Sequence, residues 1–339
     1  MIAGIIWALA AGLMLGLYAL PEKFTKEFEF ENTWGTFFTI ALFIVPPIVC
    51  FSLIDGFGAV LAAIPGNVIF QMAIASFLWG IGVMMWGKAI NYIGLSLGFS
   101  LFIGTIILVG SLLPFFVVGL PEKNVLTQIL IGLAVVLVGV YANGKAGIIR
   151  QADEDAVSGT KGGSMAAGIL IAVIGGLLAT GFSFANSIGN PNEVTEQYIK
   201  NALIEQGNPE WMLALAIMFI IYVAGGLFVT PYFIIQLSKK KLWGKFSTPH
   251  LGKNLAMTTL MAILNFSASA AFAFAAFKLG STGGTVGYAI FNTVSVAVAI
   301  ISGLITGEWK KASGKAKTFL YLGLISMIVG IIIIALGNS

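Results

Sequence analysis

Runs of about 20 apolar residues, separated by short segments that hold nearly all the charge, recur along this chain of 339 residues. A helix of that length spans the roughly 30 Å hydrocarbon core of a bilayer. Ten runs can be marked, at 2–20, 33–54, 67–91, 94–118, 126–147, 164–187, 209–236, 252–279, 280–305 and 314–337. Barrel strands would be about half as long and alternate in polarity, so the runs read as helices. Only 9% of the residues are charged, against about 25% in soluble domains, which leaves too little polar surface for a soluble fold. The expectation is an all-α integral membrane protein with ten transmembrane helices, with very tight turns around Asn91–Gly94 and Gly280.

The charges orient these helices. The segments after runs 1, 3, 5, 7 and 9 hold 15 of the 18 Lys and Arg residues, and the other side has only Lys123, Lys200 and Lys278. The positive-inside rule puts the first set in the cytoplasm. Both termini then lie on the external side of the cell inner (plasma) membrane. The net charge of +4 is thus a matter of topology, and no nucleic-acid partner is expected.

Enzyme chemistry has little to work with. Cys50 and His250 are the single cysteine and histidine, so no disulfide, metal site, cofactor or nucleophile–His–Asp set is expected. Gly82–Lys88 mimics a phosphate-binding loop, but it lies inside an apolar run and Ala89 follows it where Ser or Thr is needed.

The chain also resembles itself. Ala3-Gly4-Ile5 and Gly12-Leu13 recur as Ala167-Gly168-Ile169 and Gly176-Leu177, with Tyr18 against Phe182. At a second offset Gly94 and Gly98 match Gly280 and Gly284, and Glu122 matches Glu308. Residues 1–147 and 164–339 then form two five-helix repeats joined by a cytoplasmic linker, 148–163. An odd number of spans per half inverts one half relative to the other, a 5+5 inverted repeat typical of secondary transporters.

Polar and aromatic residues deep in apolar runs are costly unless used, and they are the site candidates. A small polar solute needs a few placed hydrogen-bonding groups in a pocket otherwise apolar or aromatic. Trp79 and Trp86 share one helical face, Asn265 and Ser269 another, and Thr285, Tyr288, Asn292 and Ser295 form a polar stripe. Trp79, Trp86, Asn265, Ser269, Tyr288 and Asn292 are the substrate-binding candidates. Core packing and helix–helix hydrogen bonds are the competing roles. Lys88, Asn91, Asn186 and Lys278, toward the span ends, are gating candidates, with snorkelling the competing role of the lysines.

The chain resembles the L-rhamnose–proton symporter family, within the drug/metabolite transporter superfamily, over nearly its whole length. The resemblance is carried by Tyr18-Ala19-Leu20-Pro21, Trp79-Gly80-Ile81-Gly82 and Tyr92–Gly98 in the first half. In the second half it is carried by Gly181-Phe182-Ser183-Phe184-Ala185 with Pro191, and by Glu308-Trp309. It implies a ten-helix inverted repeat, termini on the outer face and proton-coupled uptake of a 6-deoxyhexose by alternating access. The family's aspartate and histidine in span 9 have no counterpart in 283–292. An uncoupled or sodium-coupled carrier of another sugar or an amino acid is the alternative expectation.

Overall fold

The structure, a computed structural model, describes residues 2–158, 165–191, 196–305, 307 and 309–337, without the side chains of 87, 90, 91, 93–100, 117, 118, 151, 153–158, 165, 281 and 337. Every regular element among them is helical. Helix α1 (Ile2–Leu17) gives way to a tight turn at Leu20–Phe24 that opens on Pro21. A proline fits there because the first turn of a helix needs no N–H. Helix α2 (Phe30–Thr39) starts from a capping box between Glu29 and Asn32. It runs through a wide π turn at Ile40–Ile44 into α3 (Val45–Leu53). Pro46 and Pro47 supply no N–H, so the helical ladder shifts there. After the short α4 (Phe57–Ala63) comes α5 (Gly66–Leu112).

A straight helix of those 47 residues would be about 70 Å long, twice a bilayer. It is not straight. Trp86 and Phe102 would be about 24 Å apart along one axis, yet their rings stack at 5.9 Å. Met85 and Phe102 also pack on the same residue, Gly175. The chain therefore doubles back between them, around the expected tight turn, while keeping helical geometry through it.

The one-turn α6 (Phe115–Val118) leads to α7 (Lys123–Ser158). Helix α7 continues well into the expected linker, because nothing before Gly159 breaks a helix there. Helices α8 (Met165–Ala179) and α9 (Gly181–Gly189) meet at Thr180. The expected helical part of the next segment is α10 (Tyr198–Glu205). Then come α11 (Leu213–Lys239) and α12 (Leu251–Leu279). Gly280, at a positive φ of 62°, turns the chain through a π turn at Gly283–Gly287 into α13 (Tyr288–Ile305), and α14 (Gly314–Gly337) closes the fold.

Among the described residues nine helical stretches are long and apolar enough to cross a membrane, and Leu101–Leu112 is a shorter apolar helix. This is a multi-pass membrane protein. Its outward faces show Ile6, Ile48, Val138, Leu322 and Ile325, as lipid contact requires.

Glycines set the helix contacts, since in lipid close backbone approach replaces hydrophobic drive. Helix α1 packs on α12 and α13, and a Cβ on Gly12 would lie 2.5 Å from the Val294 Cβ and 2.9 Å from the Phe291 carbonyl oxygen. Helix α8 packs on both arms of α5, where a Cβ on Gly176 would lie 2.7 Å from the Thr105 Cβ and 2.9 Å from the Phe102 carbonyl oxygen. Helices α7 and α14 meet through reciprocal pairs, Gly132 with Gly330 and Gly139 with Gly323.

Candidate functional site

Between α5, α9, α11, α12 and α13 the interior holds a cluster of packed aromatic rings, the aromatic chamber. Trp79 of α5 lies 5.5 Å from Phe182 of α9 and 5.7 Å from Tyr222 of α11, centroid to centroid. Phe182 stacks on Tyr288 at 6.3 Å, and Phe272 of α12 contacts Phe182, Tyr288 and Phe291. Small residues let Trp79 in: its ring covers Gly225, and Gly181 sits against the Ala75 carbonyl beneath it.

Polar groups line this chamber and none is charged. The Tyr222 hydroxyl is 2.6 Å from the Ser269 Oγ and 2.8 Å from the Asn265 Oδ1. Asn292 donates to the Tyr288 carbonyl at 3.0 Å, and Ser295 donates to the Asn292 carbonyl at 2.7 Å. Ser183 donates to the Gly110 carbonyl at 2.7 Å, tying α9 to the second arm of α5. One turn beyond Phe182, Asn186 is 1% exposed, and its Oδ1 has no hydrogen-bond partner among the described residues. Buried acceptors are rarely left so.

Five of the six substrate-binding candidates therefore converge. Trp79 and Tyr288 are walls of the chamber, and Asn265, Ser269 and Asn292 are polar groups at its edge. Trp86 is apart, stacked on Phe102 near the reversal of α5, because seven residues along a helix move a side chain about 10 Å. Of the gating candidates, Lys88 is exposed with its Nζ 6.0 Å from the Tyr232 ring, and Lys278 is exposed over Phe274 and Phe277. Asn186 is inside rather than at the rim. The Asn91 side chain lies outside the described residues. The sequence reading passed over Tyr222, Phe182 and Phe272. The phenol of Tyr222 inside an apolar run was a usable signal, whereas nothing distinguishes the two phenylalanines from ordinary core.

The two ends of the molecule are tied differently. At one end, the segment after α1 grips the segment before α12. Asn254 accepts from the Lys26 N–H at 3.0 Å and donates to its carbonyl at 2.8 Å, and Asn32 donates to the Leu242 carbonyl. Lys240 pairs with the buried Glu31, and Lys245 pairs with Glu29 at 3.3 Å. At the other end, Asn208 makes the same reciprocal pair with the Asp55 backbone, both bonds 2.8 Å. On that side a cleft of about 630 Å³ runs between α5 and α9, lined by Gln71, Ala75, Leu78, Phe184, Glu196 and Tyr198 among others. Ala75 is one turn from Trp79, so the cleft ends next to the chamber. Glu196 raises the Tyr198 phenol above its ordinary range by hydrogen bonding to it and by its charge.

The whole chain, residues 1–339, matches the family model described as L-rhamnose-proton symport protein (RhaT). The chain belongs to this family. Similar curated proteins include the L-rhamnose-proton symporters of Escherichia coli strain 55989 / EAEC and of Escherichia coli O8 strain IAI1. Each is 24% identical to this chain over 99% of its length and 98% of the relative's. The L-rhamnose–proton symport family is one of transporters, not of enzymes. In this member of it the chamber itself carries no Asp, Glu or His, and the carboxylates that fall within the candidate spans among the described residues are Glu22, Glu31 and Glu210, each near a span end.

Proposed function

We propose that this chain takes up L-rhamnose or a related deoxyhexose together with protons, by alternating access across the inner membrane, with both termini outside. The observation that carries this reading is the family match over the full length, joined to an uncharged interior cluster of aromatic rings edged by amides and hydroxyls. An aromatic face suits the C–H face of a pyranose. The methyl group of a 6-deoxy sugar suits an apolar wall, and the surrounding amides and hydroxyls suit its hydroxyl groups. Trp79, Tyr288, Asn265, Ser269 and Asn292 are the proposed substrate-binding residues, joined by Tyr222, with the unpartnered Asn186 acceptor above them. Trp86, Lys88, Asn91 and Lys278 belong to the pathway ends in this reading.

The same proposal makes the molecule ten helices in a 5+5 inverted repeat, 1–147 and 164–339 about the linker 148–163, with the arms of α5 as spans 3 and 4. The doubling back of α5 supports it. So do the glycine contacts: Gly12 meets a carbonyl and the side chain three residues later on α13, and Gly176 meets the same pair on the second arm of α5. The contacts of α7 with α14 are reciprocal, as self-paired elements on a two-fold axis would be. Alternating access is supported by asparagine clamps at both ends and a cleft at one.

The test is uptake by proteoliposomes together with thermal stabilisation of the purified protein. L-rhamnose is expected to raise Tm by mass action, and an inward proton gradient to drive its accumulation. No Tm shift and no uptake with any deoxyhexose would refute the reading. The stretch 283–292, without an Asp, Glu, His, Lys or Arg, favours the second reading, an uncoupled or sodium-coupled carrier of another small metabolite. Accumulation driven by sodium alone would select it.

A further inference from the structure

Four carboxylates follow α1 within a short stretch: Glu22, Glu27, Glu29 and Glu31. Three are engaged with the second half of the chain. Glu27 bonds Thr248 and lies 3.9 Å from the His250 Nε2, while Glu29 and Glu31 pair with Lys245 and Lys240. Glu22 differs. It is half-buried in the turn Leu20–Phe24, against the head of α12, and its Oε1 accepts from the Trp34 indole N–H at 2.8 Å. Among the described residues no cation pairs with it.

The same indole connects Glu22 inward. Tyr18, just past the end of α1, lies edge-on to Trp34 at 6.1 Å and beside Phe37 at 5.5 Å. Tyr18 packs against the same interior cluster that contains Tyr222. The Tyr222 hydroxyl in turn bonds Ser269 and Asn265 at the chamber edge. Glu22 is thus joined through Trp34 to the same interior packing cluster that holds Tyr222.

A carboxylate beside a cation is held charged, whereas one that is partly desolvated and has a single neutral donor gives up its charge at least cost. The charged groups around Glu22 are Lys23 and Lys26 on its own segment, and His250 and Lys253 at the head of α12, with Tyr18 the neighbouring phenol. An ionisable residue inside a membrane-spanning segment is a functional-site candidate by default, and proton relays are among the roles such residues fill.

We propose that Glu22 takes up and releases the coupled proton. One O–H bond forms on its carboxylate when the proton is loaded and breaks when the proton leaves at the opposite side. The neutral acid removes a negative charge from beneath the clamp, which links protonation to opening of that end. This assignment rests on the reading of the chain as a proton symporter.

The test uses the full chain in proteoliposomes. E22Q fixes the side chain in a neutral form. Accumulation driven by a proton gradient is expected to fall to passive equilibration, and sugar-induced proton entry, read with an internal pH dye, to vanish. Rhamnose counterflow, which needs no net proton movement, is expected to persist. Gradient-driven accumulation by E22Q at the parent's level would overturn the assignment. W34F is the second variant. It removes the donor that favours the anion, so the pH of half-maximal uptake moves upward. An unchanged pH profile in W34F overturns the assignment even if E22Q does not fold. Parent protein that carries rhamnose without proton entry removes the symporter reading, and the assignment with it.

Discussion

Asn254 offers the sharpest handle on alternating access. Its side-chain amide makes two bonds to the Lys26 backbone, of 3.0 and 2.8 Å, across the two halves. Each is worth about 1 kcal/mol net, so N254A weakens the closed state of that end by roughly 2 kcal/mol. At 1.4 kcal/mol per tenfold, the open population rises roughly 30-fold. Thr258, one turn deeper on α12, is fully buried beneath the clamp. A cysteine there reports opening by its labelling rate with a membrane-impermeant thiol reagent. The native Cys50 is 0% exposed and adds little background. T258C labelling is expected to quicken by that factor in N254A. N208A weakens the opposite clamp, whose two bonds to Asp55 are both 2.8 Å, and is expected to slow it. Equal labelling in N254A and the parent, or faster labelling in both variants, would refute the idea that these asparagines hold opposite gates.

Other perturbations separate binding from packing. Y222F removes the hydroxyl shared by Asn265 and Ser269; a loss of about 1–2 kcal/mol is expected as a lower Tm, with a weaker rhamnose-induced shift. W79A should abolish that shift, whereas W86A should lower Tm and keep it, since only Trp79 faces the chamber; differential scanning fluorimetry with and without sugar checks both. G12V and G176V each force a branched side chain onto a neighbouring helix, and overpacking of this kind costs about 1–3 kcal/mol. Their Tm losses should be similar, while G252A, with nothing within 4 Å of the added Cβ, should leave Tm nearly unchanged.

Much of the architecture could be read before any coordinates. Run length set the helices, and charge asymmetry set the expected sides. Helical spacing picked out Asn265 with Ser269 and Tyr288 with Asn292, because a polar group in lipid must have a use wherever it sits. The same spacing put Trp79 and Trp86 on one face, yet the fold stacks Trp86 on Phe102 rather than on the rings around Trp79. A shared helix face says which way two side chains point, but not that one chamber reaches both. The tight turn at Asn91–Gly94 was legible in outline, but not the helical geometry that carries through the reversal. Glu22 was passed over because a glutamate two residues past an apolar run looks solvated, and only the fold brings Trp34 over it.

The sequence by itself determined that this chain lives in a membrane, and its family. It also determined which polar residues the lipid environment would force inward. These are properties of local composition, since each span must satisfy its own backbone and hide its own polar groups. Only the folded chain brings Trp79, Phe182, Tyr222, Phe272 and Tyr288 into one packed cluster. It also decided that Asn254 finds Lys26 and Asn208 finds Asp55. Those partners lie 228 and 153 residues apart in the chain, and no local pattern encodes a contact between two helices that could each have packed elsewhere.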